Sequence, residues 1–155
     1  MPAAFKTIGL LGRSHDEEFT QLLADLLQLL HDRGYEVIIE DRLKEGLGDL
    51  DYRYEERSSI GENADLAIVI GGDGSLLSAA RTLARHEVPV LGVNRGRLGF
   101  LTDISPDDIM QGIPAILSGH YESEQRFLLD ATVVRNGEVV AKADALNDVV
   151  VNSGA

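Results

Sequence analysis

Apolar residues follow two rhythms along this chain of 155 residues. Residues 5–11 (FKTIGLL) form a mostly apolar run and read as a strand. Gly12, Arg13, Ser14 and His15 read as a loop, and Asp16, Glu17 and Glu18 put acids where a helix start favours them. Phe19, Leu22, Leu23, Leu26 and Leu30 then recur at helical spacing, so one face of that helix packs on something. Gly34 closes it, and residues 35–40 (YEVIIE) give a second strand. Strand, helix and strand make a crossover unit, expected to be parallel and right-handed.

Residues 41–59 are polar and irregular, and read as a loop with a short helix. Residues 66–70 give a third strand, 75–85 a helix and 88–93 a fourth strand. Ser105 as N-cap, Pro106 at the first helical position, then Asp107 and Asp108, mark a helix start. That helix is expected to run to Ser118 and stop at Gly119. Near Tyr121 the pattern changes to extended runs, 126–134 and from Glu138 onward. Asn136-Gly137 between them is a type I′ hairpin signal. Residues 148–151 add a further β-branched run.

The expected fold is therefore α/β. A doubly wound, mostly parallel sheet occupies residues 1–121, followed at 122–155 by the first strands of an all-β second domain. A few strands with an uncovered apolar face are marginal alone. The expectation is that the chain is a fragment whose β domain continues past Ala155. The alternative is that the strands finish against the first domain or a partner chain.

Composition narrows the function. A net charge of −12 argues against non-specific nucleic-acid binding, which needs a basic footprint. The charge is uneven: residues 1–63 hold 7 basic and 14 acidic side chains, whereas 71–102 hold four arginines against Asp73 and Glu87. That contrast arises by chance or marks an anionic ligand near the second stretch. There is no cysteine, which excludes disulfides and thiolate chemistry and is compatible with the cytoplasm expected here. No apolar run reaches the length of a membrane span, so no membrane partner is expected. The four histidines are scattered without metal-ligand spacing, and no protein-held metal site is expected.

Doubly wound sheets bind ligands at the carboxyl ends of their strands. Two glycine-rich loops should meet there, 71–74 and 94–99. The amides of Gly72, Asp73, Gly74 and Ser75 can form an anion nest at a helix start. No Walker A loop is present, and G-x-G-x-x-G fails because Leu77 stands at its third glycine. That disfavours an ordinary dinucleotide-binding dehydrogenase. Asp73 is odd in such a loop, since a carboxylate repels phosphate. It either caps the following helix or takes a proton from a hydroxyl undergoing phosphorylation. Spacing leaves both open. Asn94 reads as a turn residue, Arg95 and Arg97 as solvated surface, and Asn147-Asp148 as a bulge or Asx-turn.

GGDGSLL (71–77), GVNRGRLGFLTD (92–103), RFLLDATVV (126–134) and ALNDVVV (145–151) together resemble the bacterial type of NAD kinase. GGDG alone resembles a wider group that includes phosphofructokinases and lipid kinases. The resemblance implies transfer of a phosphoryl group from ATP to the 2′-hydroxyl of the adenosine ribose of NAD. It implies Asp73 as proton acceptor, Asp73, Gly74, Asn147 and Asp148 in NAD binding, and Gly71, Gly72, Ser75 and Asn94 near the ATP phosphates. Asp148 stands where the family usually has Glu. Magnesium or another divalent cation would accompany ATP, and a homo-oligomer, dimer or tetramer, is implied. The family's Gly-Ser-Thr-Ala-Tyr-type segment does not occur in these residues, so the 155-residue piece alone is expected to lack kinase activity.

Overall fold

The computed structural model describes residues 4–13, 16–48, 50–95 and 104–152. The chain divides into two compact units, Met1–Glu122 and Ser123–Ala155.

The first unit is a five-stranded parallel sheet in the order β3-β2-β1-β4-β5. Its strands are β1 (Thr7–Gly12), β2 (Glu36–Glu40), β3 (Arg53–Glu55), β4 (Leu66–Gly71) and β5 (Val90–Asn94). Its helices are α1 (Glu17–Asp32), α2 (Lys44–Leu47), α3 (Arg57–Asn63), α4 (Asp73–Leu83) and α5 (Ile109–Leu117). The chain first steps from β1 outward to β2 and β3. It then returns to the other side of β1 with β4 and β5. That reversal puts the topological switch point between the ends of β1 and β4, where open α/β sheets receive ligands.

Strand side chains alternate between faces, and both faces are covered. Ile8, Leu10, Ile39, Ile68, Ile70 and Val93 join one core with the buried stripes of α1 and α5. Leu11, Ile38, Ala67 and Val69 join another with Ile60 of α3 and Leu76, Ala79 and Leu83 of α4. This two-sided burial explains why 66–71 reads as an unbroken apolar run: all six residues of β4 are buried. Gly9 is small because a Cβ there would collide with Ile60, so glycine lets α3 lie close on the sheet. At the other end of the strands, Asp65 ties β1 to β4. Its Oδ2 accepts the backbone N–H groups of Lys6 (2.8 Å) and Thr7 (2.9 Å).

Boundaries differ from the sequence reading in a few places. The stretch 41–59 holds a 3-10 turn (Asp41–Leu43), α2, the edge strand β3 and the start of α3. The helix expected from Ser75 begins two residues earlier, at Asp73. At 105–117 a 3-10 turn (Pro106–Asp108) precedes α5, and the Ser105 hydroxyl donates to the Asp108 carboxylate (2.6 Å) rather than capping the helix.

The second unit is a hairpin of β6 (Leu129–Arg135) and β7 (Glu138–Ala145), antiparallel, with a register shift at Val133/Val134. Asn136 (φ 52°) and Gly137 (φ 79°) both take the left-handed conformation a type I′ turn demands. Residues 148–152 form no strand. Among the described residues no helix is long and apolar enough to cross a membrane.

Candidate functional site

Three strand ends converge at the switch point. Gly12 ends β1 and pairs with Ile70, and Gly71 ends β4 and pairs with Asn94 at the end of β5. Arg95 N–H donates to the Gly71 carbonyl (2.9 Å), fixing the turn after β5 against β4. Gly71 has no room for a side chain. A Cβ there would lie 2.5 Å from Ser75 Oγ and 2.7 Å from Ser75 Cβ. Glycine at this position therefore lets the first turn of α4 fold back tightly over the strand end.

Gly72, not Asp73, is the N-cap of α4, and no side chain caps this helix. The Gly72 carbonyl accepts from Ser75 N–H (3.1 Å) and Leu76 N–H (3.2 Å). Two consequences follow. The capping role considered for Asp73 does not hold, because Asp73 is the first helical residue, half-buried at the positive end of the helix. The anion nest is also smaller than four amides, since the Ser75 N–H is already bonded inside the turn.

Asn94 is not a turn residue. It ends β5 at 2% exposure, and its Oδ1 has no hydrogen-bond partner among the described residues. Its backbone N–H donates to the Ile104 carbonyl (2.7 Å). Arg95 is not free surface either. It pairs with Asp16 and lies 5.5 Å over the Phe19 ring. Gly96, Arg97, Leu98 and Gly99 of the second expected loop lie outside the described residues.

The sequence reading assigned no role to a group on the β2 side of the same edge. Glu40 ends β2 and is 0% exposed. Its carboxylate accepts from Gly12 N–H (3.3 Å), Arg42 Nε (2.8 Å), and Arg57 Nε (3.0 Å) and Nη2 (2.9 Å). Arg57 Nη1 also donates to Ser78 Oγ on α4 (2.9 Å). Gly12, Arg42, Arg57 and Ser78, though not Glu40 itself, line a cavity of about 110 Å³ together with Arg13, Val69, Gly74 and Ser75. The signal in the sequence was Glu40, a charge directly after the apolar Val37, Ile38 and Ile39. The arginines that meet it come from the segment read as a loop and carry no spacing pattern.

The cluster at the sheet edge is built wholly within the first unit. Of the expected site residues it joins Gly71, Gly72, Asp73, Gly74, Ser75 and Asn94. Asn147 and Asp148 belong to the second unit, where they follow β7, Asn147 on a bend and both exposed.

A parallel sheet with strand-end glycines at its switch point, beside a helix that opens on an acid, is a doubly wound α/β domain of the kind that receives ligands at this edge. The family can be stated more closely. The model of the ATP-NAD kinase N-terminal domain matches residues 8–121. The NAD kinase of Chromohalobacter salexigens is 55% identical over 150 residues, covering 97% of this chain and 51% of the relative. That of Aeromonas salmonicida is 49% identical over 154 residues, covering 99% and 52%. The chain belongs to the ATP-NAD kinase family. It spans about half the length of these curated relatives. The crystal structure of yeast NADH kinase complexed with NADH shares the fold, with a TM-score of 0.79 at 17% identity over 94% of this chain and 48% of that one.

Proposed function

We propose that the full-length protein phosphorylates NAD at the 2′-hydroxyl of its adenosine ribose with ATP as donor, giving NADP. The observation that carries this reading is the position of Asp73. It stands at the switch point, on the first residue of a helix that a glycine caps. Its carboxylate is thus not needed for the cap, in a family that matches this chain over residues 8–121.

In the proposed step the 2′-oxygen attacks the γ-phosphorus of ATP. The bond from that phosphorus to the β,γ-bridging oxygen breaks, ADP leaves, and the hydroxyl proton passes to the Asp73 carboxylate. Asp73 and Gly74 are assigned to binding of the acceptor NAD, and Asn147 and Asp148 of the second unit are assigned to it separately. Gly71, Gly72, Ser75 and Asn94 lie on the donor side, where the tight Gly71–Ser75 turn brings backbone close to phosphate.

The donor set accommodates magnesium as a cation carried by the donor. Among the described residues no cluster of three acidic or histidine ligands exists, and magnesium is ordinarily held by phosphates, waters and one or two carboxylates. When bound, the cation neutralises developing charge on the phosphates. A homo-oligomer in the cytoplasm completes the proposal.

The test is NADP formation from NAD and magnesium-ATP by the purified full-length protein. Turnover that requires both substrates is expected. Absence of NADP at millimolar ATP overturns the reading.

A further inference from the structure

The Glu40 cluster holds more positive charge than its structural role calls for. A buried carboxylate joining β2 to α3 needs one well-placed cation, and a hydrophobic pair would serve the same packing. Here Glu40 meets two guanidinium groups and a backbone N–H, and Arg42 and Arg57, the arginines that meet it, line a cavity together with Arg13. Three arginines thus line one cavity in a chain whose net charge is −12. Arg57 is the most buried of them. Its side chain is 14% exposed, and Glu40 and Ser78 hold it from two sides. A guanidinium fixed in this way retains N–H directions for a second acceptor, at little further entropic cost. The cavity, about 110 Å³, exceeds by far the roughly 10–15 Å³ a single water requires. It also opens beside Gly74 and Ser75, in the first turn of α4.

We propose that this cavity is a phosphate subsite, in which Arg57 binds a phosphoryl group, Arg13 adds charge at the rim, and Glu40 is a positioning residue that aims Arg57. The assignment of the phosphoryl group rests on the function proposed above: it is either a phosphate of the donor or the 2′-phosphate of the product. The existence of an anion site does not rest on that function. The two sources share one chemistry and separate by experiment.

The experiment uses the full-length protein and four probes: inorganic tripolyphosphate, ATP, NADP and NAD, each titrated by calorimetry. Removing a charge-assisted hydrogen bond from a bound phosphate weakens binding about tenfold or more. Arg57→Met is therefore expected to weaken tripolyphosphate about tenfold, with Arg57→Lys recovering part of the loss. A donor site shows in the kinetics as a raised KM for ATP with the KM for NAD unchanged. A product site shows as weakened NADP binding with NAD binding unchanged. Glu40→Gln is expected to move the same constants in the same direction. Loss of fold stability alone does not produce that selectivity.

Should Arg57→Met fail to fold, Arg13→Met carries the test, because Arg13 makes no bond to Glu40. Its expected effect is a weaker tripolyphosphate affinity, about threefold, that shrinks as salt rises. Tripolyphosphate, ATP and NADP affinities all within twofold of wild type in the folded variant overturn the proposal. Wild type that binds tripolyphosphate through Arg57 yet makes no NADP overturns the kinase reading and leaves this site standing.

Discussion

Two turns in this domain begin alike and end differently. Each runs from a strand-end glycine to a helix with an aspartate at its start. After β1 the aspartate is Asp16, and after β4 it is Asp73. Asp16 is the N-cap of α1. One carboxylate oxygen accepts Phe19 N–H (2.9 Å) and the other pairs with Arg95. Asp73 sits one residue too late to cap, and Gly72 takes that place. A glycine N-cap costs only a few tenths of a kcal/mol relative to an aspartate. Helix α4 is thus capped cheaply without its acid. The same residue type caps a helix at one turn and does not cap it at the other.

The sharpest way to break this comparison is to neutralise Asp73. Asp73→Asn keeps the shape and removes the proposed base. Turnover is expected to fall about 10²–10⁴-fold, the usual contribution of a positioned general base. Helix stability should drop by no more than about 1 kcal/mol, the value of an acid in a first helical turn. Steady-state kinetics and thermal melting on the same sample check both halves. Near-normal turnover would return Asp73 to a purely structural role.

The strand-end glycines give the next largest effect. A Cβ at Gly12 would sit 2.9 Å from the Ile70 carbonyl oxygen and 3.1 Å from the Phe19 ring. The obstacle is backbone of the neighbouring strand, which cannot swing aside. Gly12→Ala is expected to destabilise the domain by about 1–3 kcal/mol, the range for overpacking a tight site. Denaturant unfolding measures it. A change within about 0.5 kcal/mol, the scale of an ordinary surface substitution, would show that the β1 turn has slack.

These two turns also show what could be read from sequence. The apolar runs at 5–11 and 66–70, and the helical stripe from Phe19 to Leu30, are long and periodic, and the structure has a strand or helix at each. Asn136-Gly137 needed only local turn chemistry. The stretch 41–59 was opaque for physical reasons. Strand β3 has three residues at a sheet edge, too few for a period, and α3 buries only Ile60 and Gly61. Arg42 and Arg57 came with that stretch, so the cavity they line was hidden too. Glycines at 71, 72 and 74 pointed to the β4 edge. Whether Asp73 caps its helix turned on one residue of register, which spacing cannot resolve.

Removing the other aspartate gives a smaller effect of a different kind. Asp16→Ala deletes the cap on Phe19 N–H and the pair with Arg95. A loss of about 1 kcal/mol is expected, as for other N-cap deletions. Turnover should change far less than in Asp73→Asn, since Asp16 acts on α1. Melting and kinetics run side by side separate the two aspartates. A turnover loss matching that of Asp73→Asn would erase the distinction between the two turns.

A third aspartate, at the opposite end of the strands, sets the lower limit of the comparison. Asp65 accepts two backbone N–H groups, and these bonds from Thr7 and Lys6 hold its carboxyl below the ordinary 3.8. The charged form is the one that bonds, so the native state binds this proton less readily than the unfolded chain. Its contribution is therefore fully present above about pH 3.8 and is lost as pH falls through the lower folded value. Asp65 is exposed, and solvent screening keeps the contribution below about 1 kcal/mol. Asp65→Asn should lower stability slightly at neutral pH and flatten the acid limb of a stability profile below about pH 3.8. An unchanged acid limb would mean that the two N–H groups serve Asn as well as Asp. In that case β1 and β4 would be joined by hydrogen-bond geometry alone, without help from the charge.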